Sequence, residues 1–408
     1  MNEQDMEVIK EGLVEIHVPK FEKVSASAPV FYNSRMELNR DISILALQTF
    51  QEEIRREVNI CDVFGGSGIR AIRYKKEING VGKVFVNDIS SLAVEQSRSN
   101  AIANNVDIEI HQKEANIFLR ENRGVFDVID IDPFGTPSYF IDSASYSLKK
   151  DSLLCVTATD TSALCGTYKE PCIRKYNAKP YKSEYCHETG IRILAGFVAL
   201  TLAKYKKYIE DIKLSHSSEH YMRLYIKINK ASAATDESLA NNIGHIIHCK
   251  KCLFREAITG LTTSIPEICP VCGEKVIVAG PLWIGKLQNR DFINSMISKL
   301  NSEDLEGSED SEDSDASDNS DKFVINTEKK VLKLLNSCLE ESDAPVTFYD
   351  IHVICKNLKI SAPKLDKVID ALKMEGFLAI KTHFNPIGIK SDAGIEKIKE
   401  IIGKIEII

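Results

Sequence analysis

Short unbroken apolar runs alternate along this chain with stretches whose apolar residues recur at helical spacing. Residues 125–131 and 152–158 read as strands buried on both faces. Residues 59–64, 83–87 and 107–111 add three shorter strands, with helices predicted between them at 69–77 and 91–104. Strands alternating with helices in this way specify a doubly wound, mostly parallel α/β sheet. A long helix is predicted at 191–208. Its apolar stretch, 193–203, lies between Arg192 and Lys204 and is too short to cross a bilayer, so it reads as a core helix. Residues 212–215 and 221–228 predict a closing pair of strands. Beyond residue 323, helical patterns at 328–338, 349–358 and 364–374 and a strand-like end at 377–382 predict three helices and a hairpin of winged-helix type. The pattern divides the chain into an N-terminal segment, 1–58, a sheet domain, 59–230, and a smaller α+β domain, 231–408.

Composition changes this picture in three places. The net charge of −7 is misleading, because residues 302–321 hold ten Asp or Glu, six Ser and no Lys or Arg. Without them 52 basic side chains face 49 acidic ones, a net of +3, which is compatible with a nucleic-acid partner. The acidic stretch lacks the apolar residues needed to fold and is expected to be a disordered insertion. The start, Met1-Asn2-Glu3-Gln4-Asp5, is acidic and unlike a signal peptide, which predicts an intracellular protein outside membranes. A serine-acidic insertion points to the nucleus, with the cytoplasm as alternative. Eleven cysteines, an odd number, then imply reduced thiols and a metal site rather than disulfides.

The candidate chemistry sits at strand ends. Asp62-Val63-Phe64-Gly65-Gly66-Ser67-Gly68 is a strand-to-helix loop whose glycines let the backbone turn and approach a ligand closely. Gly66-Ser67-Gly68-Ile69-Arg70-Ala71 fits the loose pattern G-x-G-x-x-A. The next strand ends in Asp88, a carboxylate suited to the two ribose hydroxyls of an adenosine cofactor. These features fit NAD and S-adenosylmethionine equally; the plain alternative is a glycine turn without a ligand. The run Ile129-Asp130-Ile131-Asp132-Pro133-Phe134-Gly135 separates the two cofactors. Asp132 and the Pro133 carbonyl can accept hydrogen bonds from an exocyclic amino group, and Phe134 can stack on the base that carries it. Hydride transfer has no use for such a turn, whereas methyl transfer to a base amine does. An ordinary Asp-Pro turn is the competing explanation.

Cys249-x2-Cys252, sixteen residues, then Cys269-x2-Cys272 has the spacing of a closed four-thiolate zinc site, structural rather than catalytic. His245 and His248 are possible substitute ligands, read as surface residues. Cys186-His187-Glu188 could suggest a nucleophile and base. Adjacent helical residues point in different directions, so these are read as packing the start of a helix.

Taken together, the motifs resemble the tRNA guanine-26 N2-dimethyltransferases. The matching stretches are Phe31-Tyr32-Asn33 with Met36 and Asn39-Arg40-Asp41; residues 67–74; Asn87-Asp88; residues 130–137; Thr157-Ala158-Thr159-Asp160 with Leu164-Cys165-Gly166; Tyr185-Cys186-His187-Glu188; Gly280-Pro281-Leu282-Trp283; and Thr382-His383-Phe384 with Pro386. The sequence departs from that pattern at Phe64-Gly65-Gly66, at Glu114 where Asp is usual, at Ser391 in place of Thr, and in its acidic insertion. The resemblance implies a class I, Rossmann-like S-adenosylmethionine-dependent methyltransferase domain joined to a zinc-containing α+β domain that grips tRNA. It implies two successive methyl transfers to N2 of guanine 26. It assigns Arg40, Arg70, Asp88, Glu114 and Ala115 to the cofactor, Asp88 on the ribose and Glu114 and Ala115 at the adenine. Asp132, Pro133 and Phe134 become the catalytic turn. A monomer is expected. The competing readings are an NAD-dependent oxidoreductase and a non-catalytic zinc-containing nucleic-acid-binding protein.

Overall fold

Val14, Ile16 and Val18 are buried while Glu15 and His17 between them are exposed, and this alternation makes residues 14–19 one strand of a hairpin. The computed structural model describes residues 6–20, 30–261, 264–301 and 324–406. The acidic stretch at 302–321 lies outside them. In chain order the elements begin with β1 (Met6–Glu11), β2 (Val14–Pro19), α1 (Glu37–Ile54), β3 (Val58–Asp62), α2 (Ile69–Glu77), β4 (Val81–Asp88), α3 (Ser91–Ala103), β5 (Glu109–Gln112), α4 (Ala115–Glu121), β6 (Val128–Ile131), α5 (Ile141–Ser147) and β7 (Ser152–Ala158). There follow α6 (Thr161–Leu164), α7 (Lys169–Tyr176), α8 (Cys186–Ala203), β8 (Lys207–Ser218), β9 (Tyr221–Lys230), α9 (Ser232–Asn242), β10 (Ile243–His248), β11 (Arg255–Thr259), β12 (Ile277–Trp283), α10 (Arg290–Asn301) and α11 (Glu328–Glu340). The chain closes with β13 (Tyr349–Asp350), α12 (Ile351–Leu358), α13 (Leu365–Met374), β14 (Ala379–Thr382), β15 (Asn385–Ser391) and α14 (Ile395–Glu406).

Two compact units result. The first comprises Met1–Phe134, Ser143–Val156 and Arg290–Asn336. Its strands run parallel in the order β5-β4-β3-β6-β7. Every side chain of β6 is buried, as parallel strands covered on both faces require. β6 starts at Val128 rather than 125, because residues 122–127 form a turn in which Val125 N–H donates to Asn122 O at 3.2 Å. α2 occupies the predicted residues. It follows Gly68 at φ +81°, where a Cβ would lie 3.0 Å from Ser97. α1 escaped the sequence pattern because it is buried on several faces, its polar Asn39, Arg40, Asp41 and Ser43 included.

The second unit comprises Gly135–Asp142, Thr157–Asn289 and Ser337–Ile408. α8 begins five residues earlier than predicted and stops at Ala203, where a turn through Lys206 at φ +57° leads into β8. By length and composition it could cross a membrane, yet most of it is buried within this unit, so the core-helix reading holds. β8 and β9 form one long antiparallel pair. β10 to β12 make a small antiparallel sheet in the order β11-β10-β12. The C-terminal part packs α12, α13 and α14 on a three-stranded sheet, β13-β15-β14. This departs from the predicted winged helix in two ways. Tyr349 belongs to a strand, because Asp350 caps α12 by accepting from His352 N–H at 2.8 Å. The third helix of the cluster is α14, which sequence reading missed; α11 belongs to the first unit as far as Asn336.

An ion cluster fixes the second unit internally. Glu188, fully buried, accepts from Lys390 Nζ at 2.7 Å, from Arg192 Nε at 2.9 Å and from Thr347 N–H at 2.9 Å. Burial pushes its carboxyl up, but Lys390 and Arg192 outweigh burial and hold it at about 2. Glu188→Gln leaves a buried lysine short of its partner and should cost about 3–5 kcal/mol. Because the folded value is depressed, this stability is present above about pH 4.5 and lost as pH falls towards 2. Denaturant melts at pH 7 and pH 3 check both: the gap between wild type and variant should narrow in acid.

Candidate active site and metal centre

β3, β4 and β6 end at Asp62, Asp88 and Ile131, on the edge of a parallel sheet where ligands bind. Asp88 closes the glycine loop onto β4. Gly66 N–H donates to its Oδ2 at 3.0 Å and Ser90 N–H to its Oδ1 at 2.9 Å, which leaves lone pairs for two hydroxyls. Gly66 stands at φ +54°, and a Cβ there would lie 2.9 Å from Phe31 O, the acceptor for Ser67 N–H at 3.2 Å. Glycine is therefore required at 66, and the N-terminal segment lies against the loop. Asn87 ties the neighbouring turn to β4: its Oδ1 accepts from Lys113 N–H and its Nδ2 donates to Lys113 O, both at 3.1 Å. That turn carries Glu114 and Ala115 beside Asp88. Glu114 caps α4, accepting from Ile117 N–H at 3.0 Å.

Arg70 joins the Asp132-Pro133-Phe134 turn to the rest of the site. Its guanidinium is buried and paired with Asp132, with Asp130 at 3.4 Å, with Asn39 Oδ1 at 3.0 Å and with Ser43 Oγ at 3.2 Å. Asp130 also accepts from Tyr74 OH at 2.6 Å. Asp62 stands opposite Asp130 in the β3–β6 register. Burial raises the Asp62 carboxyl to about 7; Asp130 and Asp132 add to the rise, while Arg70 and the Phe64 N–H oppose it. Two carboxylates thus pair with one guanidinium, and Asp62 feels its charge nearby. Asn39 Nδ2 and Ser67 Oγ are buried without a partner among the described residues, polar atoms that fit a site built to take a polar ligand.

Phe134 is half-exposed, at 52%, and meets Phe31 edge to face with ring centroids 4.2 Å apart. Pro133 between it and Asp132 is buried. Within the second unit, Gly135 N–H donates to Thr159 Oγ1 at 2.7 Å and Thr159 N–H to Gly135 O at 2.9 Å, holding the chain just after the turn. Arg40 is engaged elsewhere: its Nε donates to Glu11 Oε2 at 2.7 Å and its Nη2 to Asn33 O at 3.1 Å. Tyr32 OH donates to the same buried Glu11 at 2.7 Å. Sequence reading missed Glu11 altogether and quoted Asp62 and Tyr74 only as members of motifs, without a role. It noted Phe31, Asn39 and Asp130 only as motif members, since no spacing in one dimension connects them to Phe134 or Arg70.

The four cysteines converge as their spacing predicted. All four sulfurs lie within 4.8 Å of one another, Cys249 to Cys272 at 3.4 Å and Cys252 to Cys269 at 3.6 Å. Sulfurs about 2.3 Å from one zinc would stand about 3.8 Å apart, so the set fits a tetrahedral ion. Two matching knuckles present them, in which Leu253 N–H donates to Cys249 O at 2.9 Å and Gly273 N–H to Cys269 O at 3.0 Å. The histidines stay outside the set. His248 is buried among the rings of Tyr181 and Tyr185, and burial lowers it to about 3.

Known proteins match this chain over nearly its whole length. A family profile described as N2,N2-dimethylguanosine tRNA methyltransferase covers residues 12–403. The tRNA (guanine(26)-N(2))-dimethyltransferase of Methanobrevibacter smithii is 63% identical over 403 residues, 98% of each chain. The tRNA (guanine(26)-N(2)/guanine(27)-N(2))-dimethyltransferase of Aquifex aeolicus is 37% identical, over 98% of this chain and 96% of its own. Among solved structures, Trm1 from Pyrococcus horikoshii in complex with S-adenosyl-L-methionine superimposes with a TM-score of 0.83 at 33% identity, covering 97% of this chain and 99% of its own. The chain belongs to the N2,N2-dimethylguanosine tRNA methyltransferase family.

Proposed function

We propose that this enzyme transfers two methyl groups in turn from S-adenosylmethionine to N2 of guanine 26 in tRNA, and that Asp132 is the group that holds the amine. The observation that carries this reading is the Arg70-bound Asp132 carboxylate, fixed one residue past the end of β6 and followed by Pro133 and half-exposed Phe134. When bound, S-adenosylmethionine supplies a methyl group on a positively charged sulfur. Asp88 serves the ribose, Glu114 and Ala115 the adenine side. Arg70 orients Asp132, and Arg40 acts through Glu11 to hold the segment that carries Phe31. Asp132 and the Pro133 carbonyl accept the two N2 hydrogens, and Asp132 takes the proton released on transfer. A base inside tRNA must leave its stack, at a cost of a few kcal/mol, and stacking on Phe134 at roughly 1–3 kcal/mol offsets much of it. Surplus carboxylate around Arg70 suits a cationic methyl donor. Neither an oxidoreductase nor a non-catalytic binder accounts for that turn.

On the same reading the protein is a monomer divided at 58 and 230, with one structural zinc on Cys249, Cys252, Cys269 and Cys272 and tRNA contact by its C-terminal region. The relatives above come from archaea and a bacterium, cells without a nucleus, so a nuclear location finds no support there. The place of action is wherever the cell holds its tRNA.

Asp132→Asn should lower turnover by at least one factor of ten while S-adenosylmethionine affinity changes little. Single-turnover kinetics with calorimetry check this, and more than about a tenth of wild-type rate would remove Asp132 from the role. Mass spectrometry of nuclease fragments of the product tRNA should place dimethylguanosine at position 26 and leave 27 unmodified.

Asp62 gives a prediction for the ligand-free protein. Its folded value lies above its ordinary one, so the folded state binds the extra proton. The stability it contributes is present below about pH 4 and lost as pH rises through about 7, at about 1.4 kcal/mol per pH unit crossed. Asp62→Asn should become steadily more stable relative to wild type between pH 5 and pH 8, read as a growing difference in Tm.

Cys252→Ser should lose one equivalent of zinc and melt the β10–β12 region early. Four-thiolate sites in small peptides supply about 10–16 kcal/mol of apparent folding free energy. Elemental analysis with hydrogen exchange over residues 243–283 tests this; an unchanged metal content would refute the assignment.

A further inference from the structure

The second unit holds another convergence of soft ligand atoms that shares no residue with the four-cysteine set. Cys165 caps the C-terminal end of α6, and Cys186 and His187 are the first two residues of α8. Their ligand atoms all lie within 4.8 Å of one another, with Cys165 Sγ 3.8 Å from His187 Nδ1. A sulfur and a nitrogen sharing one tetrahedral zinc stand about 3.6 Å apart. Side chains of consecutive helical residues normally diverge, so the approach of both Cys186 and His187 to one sulfur from a different helix is a specific arrangement. No carboxylate belongs to the group, and a set of two thiols and an imidazole selects zinc-like ions over magnesium or calcium.

We propose that Cys165, Cys186 and His187 form a second metal site, a three-ligand centre for a borderline-soft divalent ion such as zinc. Cys165 is buried, whereas Cys186 and His187 are half-buried, so solvent reaches the set and a water completes the tetrahedron. Ser217 Oγ lies 3.2 Å from His187 Nδ1, a contact that the ion would replace. The ion would join the end of α6 to the start of α8 and close the excursion 166–185. α7 lies within that excursion, and its Tyr176 OH stands 2.8 Å from Thr136 Oγ1 and 2.6 Å from Asp160 Oδ1. Metal binding therefore braces, at one remove, the segment that follows the catalytic turn.

Cobalt titration of the full-length, reduced, metal-free protein under anaerobic conditions tests this. Wild type should take up two equivalents of Co2+ with thiolate charge-transfer absorption, and Cys165→Ser/Cys186→Ser only one. His187→Asn, a milder change at a half-buried position, should weaken the second equivalent by roughly tenfold or more and leave the first untouched. Cys269→Ser should show the converse, losing the equivalent that the double variant keeps. Saturation of wild type at one equivalent would overturn the proposal whether or not any variant folds. So would a second equivalent that persists in the double variant or is indifferent to His187→Asn.

Discussion

A guanidinium buried beneath the Asp132-Pro133-Phe134 turn sets the geometry around it. Arg70 reaches from α2 to Asp130 and Asp132 at the end of β6 and to Asn39 and Ser43 on α1. Taking such a charge out of water costs several kcal/mol, so the cation and its carboxylates must be built together or not at all. A planar fork satisfies partners on several sides at once, which an ammonium at the same place would not. The carboxylates outnumber their cation, however. Burial offsets part of that excess by raising Asp62, with Asp130 and Asp132 adding to the rise.

The second unit meets the same constraint with different means. Around residues 247–278 the packed cluster consists of little more than Ile247, Val276 and the cysteines, with a few half-buried neighbours. So small a core does not hold a fold alone, and a metal on the four cysteines would supply what apolar burial lacks. The C-terminal part has the opposite composition. Its core takes Ile395, Ile398, Ile401 and Ile402 from α14 and needs no ion. Glu188 is one of several charged side chains buried in this unit, held by charges from α8 and β15.

Much of the first unit could be read from the chain. β6 and β7 are parallel strands covered on both faces, and such strands announce themselves as largely apolar runs. α2 is framed by glycine and by its own spacing. The four-cysteine centre was legible for a similar reason, since its ligands sit in two short repeats that need no knowledge of the fold. What could not be read were pairings across long separations. Glu11 meets Arg40 across 29 residues, and Arg70 meets Asp132 across 62. Arg40 and Arg70 were recognised as important residues without any means of knowing that each has a carboxylate within the chain. The β1–β2 hairpin is a different case. Its alternation of Val14, Ile16 and Val18 with polar residues was present in the sequence and simply went unread, as did the length of α1, whose buried polar side chains hide its helical face.

That hairpin has a consequence for the order of events during synthesis. A two-stranded ribbon is marginal on its own in water. β2 is held instead by contacts with α3: Glu15 N–H donates to Asn104 Oδ1 at 3.0 Å and His17 N–H to Asn100 Oδ1 at 2.9 Å. Its apolar face packs on Ile69, Ile72 and Ala101. These partners leave the ribosome 83 to 89 residues after the strand they hold. At 5–20 residues per second the nascent N-terminus waits roughly 4–18 s for the asparagines that hold β2. Val14, Ile16 and Val18 are exposed for that interval, and Glu15 and His17 between them, with Glu7 and Lys10 on the opposite strand, are the charged and polar positions that interrupt an otherwise adhesive edge.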